Sequence, residues 1–411
     1  MPIDEDYWPD PHPTHARLAE QGPIHRVCLP DGIPVWLVTG YEEVRTLLRD
    51  QRLARQRKYA GPDYTNTTYP EGQPEAKLVM EDPPEHTATR RLINWAFTPR
   101  RIAAARPRIQ EIAEKLLDEV EREAAENDGA VDILRSFFMR MPLLVIMGML
   151  GVPERHFDQI LMVANAEFTL ADDRTERADR ADPMGAAVQT AEDELAQLIV
   201  ELIESRRANP TDDLISYWAN ATDEDGELLP MHDVLTYVFV GIQGGYDTTA
   251  GTLTSATVDL LENPDQLAKL RANPELFPDA VEELLRRNSS VMRGFRRFAT
   301  EDMVIAGQPI SAGDTVLLGI NAANRDPSVF TDPQELDIFR PSNTLHIAFG
   351  GGPHYCPGFA LATLEITIAL RELFLRFPHI ELAVPRERIP WRRSHFSRAS
   401  YGLPVIIRTN D

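Results

Sequence analysis

The stretch from Met231 to Glu262 contains no proline, and its apolar spacing predicts one uninterrupted helix. At 1.5 Å per residue it runs about 48 Å, enough to cross a whole domain, so the rest of the chain has to be organised around it. Gly244 and Gly245 lie near its middle, where each costs roughly 1 kcal/mol relative to alanine. Propensity argues against them, so packing or a ligand must compensate. Gly244 and Thr248 are four apart and share one helix face, so the missing side chain opens a groove beside the Thr248 hydroxyl.

Helical periodicity also covers residues 102–125, 133–150, 155–170 and 184–207. Ile24–Cys28 and Pro34–Val38 flank Pro30-Asp31-Gly32 and predict a hairpin. Strand-like segments return at residues 296–305 and Thr315–Leu318, a proline-rich coil follows over 325–341, and a last helix spans 359–377. That coil is too short and too regularly apolar for a tether, so residues 1–411 are expected to form a single mainly α (α+β) domain. Residues 171–183 (ADDRTERADRADP) suit a solvated connection. The longest apolar run, 142–152, falls far short of the roughly 20 residues that span a bilayer, and no membrane anchor is expected.

The 64 acidic residues against 42 Lys and Arg give a net charge of −22, which repels nucleic acid and anionic membrane and favours small-molecule chemistry. With 43% hydrophobic and 26% charged residues, disordered, collagen-like and disulfide-stapled classes are excluded. Cys28 and Cys356 are the only cysteines and the N-terminus is acidic and polar without a secretory pattern, which points to a reducing, cytoplasmic compartment.

Just ahead of the last helix stands Phe349-Gly350-Gly351-Gly352-Pro353-His354-Tyr355-Cys356-Pro357-Gly358. Three successive glycines permit close backbone approaches, so a flat group can lie against the loop. Cys356 sits at a helix mouth, where unpaired N–H groups and the positive dipole end favour a metal-ligating thiolate. A lone cysteine after such a turn is equally consistent with an inert buried thiol. Zinc requires several ligands at short spacing, and only His354 is near; heme iron needs one.

The decapeptide resembles the heme-binding signature of the cytochrome P450 family, Phe-Gly-x-Gly-x-His-x-Cys-x-Gly, from Phe349 to Gly358. Further motifs follow in the family's order, so the resemblance covers nearly the whole chain. It implies the P450 fold, helix-rich with small sheets, and heme b (iron protoporphyrin IX) between the long central helix and the cysteine loop, with Cys356 as axial ligand. In this family the thiolate pushes electron density toward O–O cleavage, a property of the class. Gly244, Gly245, Phe349 and Gly358 would lie along the heme. The family's acid-alcohol pair falls on Asp247 and Thr248, which implies proton delivery during dioxygen reduction; alone, a Thr bonded back to a carbonyl beside a solvated Asp would be the simpler reading.

His86 and Arg90 match the family's His-x-x-x-Arg, and with Arg297 and His354 they are the expected partners of the heme propionates. Arg296 competes with Arg297, and Arg293 more weakly. The other histidines, His346 included, show no metal-ligand spacing and are expected as surface or capping residues. Glu283 and Arg286 match Glu-x-x-Arg, but the place of its usual arginine partner holds Glu335, leaving Arg340 as candidate; Asn324-Arg325-Asp326-Pro327 does follow the family. Pro357 removes an N–H that the family usually has after the cysteine, and Thr363 stands where arginine is common.

The resemblance implies a monooxygenase that inserts one oxygen of O2 into a small organic molecule, as in secondary-metabolite tailoring. Oxidative coupling or cyclisation without oxygen insertion is the alternative within this chemistry; a heme-binding sensor or carrier is the alternative outside it. No flavin or iron-sulfur segment is present, so a separate ferredoxin and ferredoxin reductase are implied, with Arg91, Arg100 and Arg101 as a candidate docking face. The substrate pocket is expected around residues 64–79, 168–183, Phe239, Gln243, 291–293 and Phe396.

Overall fold

In a computed structural model, the described residues are 7–29, 33–62, 64, 77–163, 183–223, 226–341, 343–394 and 396–408, with the backbone alone at 183–189 and 343. The Met231–Glu262 helix forms over the expected range. From Thr249 to Leu260 it is buried on every face, the mark of a core helix surrounded by others. Arg140–Leu150 and Phe359–Arg376 pack against it, and Pro99–Glu126 packs against both of these. Gly245 has a packing reason, since a Cβ there would stand 3.2 Å from Ile146 Cγ1.

Three small sheets border the helices. Strands β1 (Ile24–Cys28), β2 (Pro34–Val38), β3 (Leu53–Ala54), β5 (Arg297–Ala299) and β8 (Thr315–Leu318) form one in the order β1-β2-β8-β5-β3. Strands β4 (Ala130–Asp132), β9 (Ile380–Leu382) and β10 (Pro404–Ile407) form the second as β4-β10-β9, and β6 (Met303–Ile305) pairs with β7 (Gln308–Ile310). The β1/β2 pairing is antiparallel with Ile24 opposite Val38; the hairpin tip, 30–32, lies outside the described residues.

Two expected elements divide. Residues 133–150 are not one α-helix: after β4, Leu134–Phe138 is a π-helical segment, with Met139 N–H donating to the Leu134 carbonyl at 2.9 Å, and the α-helix begins at Arg140. The wider turn buries Phe137 and Phe138 side by side. Residues 296–305 contain two strands in different sheets, because β6 turns into β7 through Ala306 and Gly307, both at positive φ. Of the helix expected at 155–170, residues 155 and 156 belong to a 3-10 turn (Glu154–His156), 157–163 are α-helical, and 164–170, like 171–182, lie outside the described residues. No helix of the described residues is long and apolar enough to cross a membrane.

Glu283 and Arg286, both fully buried, form a two-pronged ion pair at 2.6 and 2.9 Å. Arg340 is the third member: its Nε donates to both Glu283 oxygens at 3.1 Å. Glu335 contributes only its carbonyl, to Arg340 at 3.0 Å. The triad ties the Phe277–Asn288 helix to the proline-rich coil that leads into the cysteine loop.

Candidate active site

The cysteine loop closes through Cys356 N–H, which donates to the Phe349 carbonyl at 3.0 Å. Gly352 sits at φ +66°, and a Cβ there would meet the Leu48 carbonyl oxygen at 2.4 Å, so only glycine fits. Burial raises the Cys356 thiol pKa, against the Gly358 N–H bonded to the sulfur and the nearby Arg90, which lower it. A coordinating metal ion deprotonates such a thiol outright. Phe349 meets Phe359 edge-on at 6.2 Å.

On the central helix, Gln243 and Gly244 are exposed although buried residues lie on either side. A Cβ on Gly244 would meet nothing within 4 Å, so open space lies along this face. Thr248 Oγ1 donates to the Gly244 carbonyl at 3.2 Å, which leaves its lone pairs as acceptors. Asp247 is not simply solvated: its Oδ1 accepts from Arg392 Nη1 at 3.3 Å. Sequence reasoning missed Arg392, which lies 145 residues away.

His86, Arg90, Arg297 and His354 come together. The His86 and His354 rings lie 4.1 Å apart, and burial, then Arg55, His86, Arg297 and Arg90, push the His354 pKa down, keeping it neutral. Arg297 is buried in β5 and donates from Nη1 to the Leu53 carbonyl at 3.2 Å, while Arg296 lies over the Tyr64 ring. Of the two, Arg297 is the buried one; Arg293 lines a cavity with Tyr7 and Cys28. Burial lowers Arg297 to about 10, and an arginine held there still carries its proton.

Three buried polar atoms in this cluster have no hydrogen-bond partner among the described residues: His86 Nε2, Arg297 Nη2 and Arg55 Nε. Buried donors without acceptors are costly, and here they are predominantly cationic. One sulfur able to ligate a metal, open space along a helix and an uncompensated positive cluster together fit a heme with two carboxylates.

Other expectations change. His346 is a buried structural histidine, with Nε2 3.0 Å from Glu282 Oε2 and Nδ1 accepting from Ala348 N–H, and His12 is also buried. In the expected pocket wall, Met292 N–H donates to the Phe396 carbonyl at 3.0 Å and Val291 bridges Ser397, so these two segments do meet; residues 168–182 lie outside the described set. Arg91 and Arg100 are exposed, whereas Arg101 pairs with Asp212 at 2.9 Å and stacks over Trp95 at 3.5 Å.

The family model described as Cytochrome P450 matches residues 6–397. Nocardicin C N-oxygenase of Nocardia uniformis subsp. tsuyamanensis is 40% identical over 398 residues, covering 96% of this chain and 95% of that protein. Cytochrome P450 monooxygenase PikC of Streptomyces venezuelae is 38% identical over 407 residues, covering 98% and 92%. The solved structure of the Bacillus subtilis 168 bacillaene polyketide synthase cytochrome P450 PksS superposes with TM-score 0.86 at 35% identity over all of both chains. The chain belongs to the cytochrome P450 family. It is a heme-dependent monooxygenase with the P450 fold, and the family implies a heme-thiolate cofactor, a small-molecule substrate and O2.

Proposed function

We propose that the chain forms one unit that binds heme b through the Cys356 sulfur in the cytoplasm, and inserts one oxygen atom of O2 into a small organic molecule by hydroxylation or epoxidation during secondary metabolism. The cationic cluster carries the cofactor assignment: the His86 ring lies 4.1 Å from that of His354, two residues ahead of Cys356, and His86 Nε2 and Arg297 Nη2 have no hydrogen-bond partner among the described residues, so His86, Arg90, Arg297 and His354 would take the propionates. Phe349 and Gly358 flank the sulfur, and Gly244 opens the helix face toward the cofactor, with Gly245 beside it letting the helix pack close on Ile146. When bound, heme supplies the redox iron at which dioxygen is activated.

The chain's own residues handle protons and space. Asp247, tethered by Arg392, exchanges protons with solvent and passes them toward Thr248. The Thr248 oxygen accepts because its own proton is engaged by Gly244. Gly244 keeps the adjoining space clear. The relatives named for nocardicin C and for polyketide biosynthesis support a mid-sized, partly polar natural product as substrate, with Phe239, Gln243, Val291 and Phe396 on the pocket wall. A separate ferredoxin and reductase supply electrons, with exposed Arg91 and Arg100 as docking cations.

Turnover of a spin-shifting ligand with ferredoxin, reductase and isotopically labelled O2 tests this. One labelled oxygen in the product is expected. Loss of two hydrogens with no oxygen gained assigns coupling or cyclisation instead, and ligand binding with no reductant consumed assigns a sensor or carrier.

A further inference from the structure

Arg55 belongs to no motif, yet the structure buries it in the cationic cluster. It follows the two-residue strand β3, whose Leu53 carbonyl accepts from Arg297. Its Nη1 donates to the Val79 carbonyl at 2.7 Å and its guanidinium lies 5.5 Å from the Phe295 ring, but Nε has no partner among the described residues. The nearby carboxylate, Asp82, accepts from the backbone N–H of Arg55 and of Gln56 at 2.9–3.0 Å rather than from a guanidinium.

Two buried guanidiniums therefore stand side by side, each with an unsatisfied N–H, with His86 Nε2 unsatisfied as well. Among the described residues neither forms an ion pair with a carboxylate, and burial of an unpaired cation is strongly unfavourable. Burial and Arg297 both push the Arg55 pKa down, and Asp82 only partly opposes them.

We propose that Arg55 is a carboxylate-binding residue of the heme site, pairing with a propionate alongside Arg297. The inference rests on the heme reading above. Its consequence is that heme retention depends on a residue from the β3 segment as well as on the motif cations, with the guanidinium fork giving a two-pronged contact that lysine does not reproduce.

The test uses the heme-loaded protein. Heme transfer to excess apomyoglobin is timed for wild type, Arg55→Gln and Arg55→Lys, and the propionate bending band is recorded by resonance Raman spectroscopy. Arg55→Gln is expected to lose heme about ten- to a hundredfold faster, the range for a lost charge-assisted hydrogen bond, with the band shifted; Arg55→Lys should fall between. Should Arg55→Gln fail to accumulate folded, Arg55→Lys alone decides, by faster loss with a shifted band. Unchanged loss overturns the proposal, as does faster loss with an unshifted band, which a purely structural role would give. A wild type with no thiolate-type spectrum would instead overturn the heme reading itself.

Discussion

Arg392 Nη1 donates to Asp247 Oδ1 at 3.3 Å, with the Arg392 side chain 7% exposed and that of Asp247 22%. The carboxylate is thus tethered by a buried cation while the group keeps contact with solvent. That position suits a proton carrier, because the tether fixes its place without removing it from its proton source.

Asp247→Asn keeps the shape and removes the proton exchange. Turnover should fall about a hundredfold or more with KM little changed, and the solvent isotope effect should grow. Arg392→Gln loosens the carboxylate without deleting it, so a roughly tenfold loss is expected. Steady-state rates in light and heavy water check both.

Thr248→Ala removes the acceptor beside Gly244 but no packing that the helix needs, since among the described residues its hydroxyl bonds only back to its own helix. Reductant consumption should continue while product formed per reductant falls. Equal loss of both would contradict the role given to its oxygen.

Glu283 compensates two buried guanidiniums, Arg286 and Arg340. Glu283→Gln leaves both charges without a counter-ion, and stability should drop by about 3–5 kcal/mol. Urea unfolding of the heme-loaded protein measures this; a change below about 1 kcal/mol would show that the triad is dispensable.

His12 is buried, its pKa lies well below the ordinary 6.5, and the main cause is burial, followed by Arg325, His15, Arg398 and Arg287; Asn288 faces its Nε2 at 3.4 Å. In this window the unfolded chain takes up a proton that the folded one refuses, so stability falls as pH drops below about 6.5. His12→Asn should flatten that slope in unfolding measured from neutral to acidic pH.

Some of this was legible in sequence because the signals are local. A proline-free span fixed the bounds of the Met231–Glu262 helix, and the order of glycines around Cys356 marked the loop that Gly352 makes possible. Other features depend on contacts that no local pattern carries. Strands β3 and β4 have two and three residues, too few for a period-two pattern to emerge. Arg340 was a candidate without a motif behind it, because the usual arginine place holds Glu335, and only its guanidinium spanning both Glu283 oxygens makes it the third member. Arg392 and Arg55 reach their neighbours from distant segments, and an arginine's chemistry alone does not say which carboxylate it meets. The burial that raises the Cys356 thiol pKa is likewise invisible in sequence.

Pro357 leaves Gly358 as the backbone donor to the Cys356 sulfur. Pro357→Leu restores an N–H beside it, and withdrawing electron density from the sulfur should raise the ferric/ferrous potential. Spectroelectrochemical titration checks the sign; an unchanged or lower potential would contradict it.

The most direct measurement is the absorption spectrum of the reduced, carbon-monoxide-treated protein, beside that of Cys356→Ala. A red-shifted Soret band typical of thiolate-ligated heme in the wild type, lost in the variant, is the expected result. Its absence from the wild type, or its survival without the sulfur, would show that Cys356 does not hold the iron.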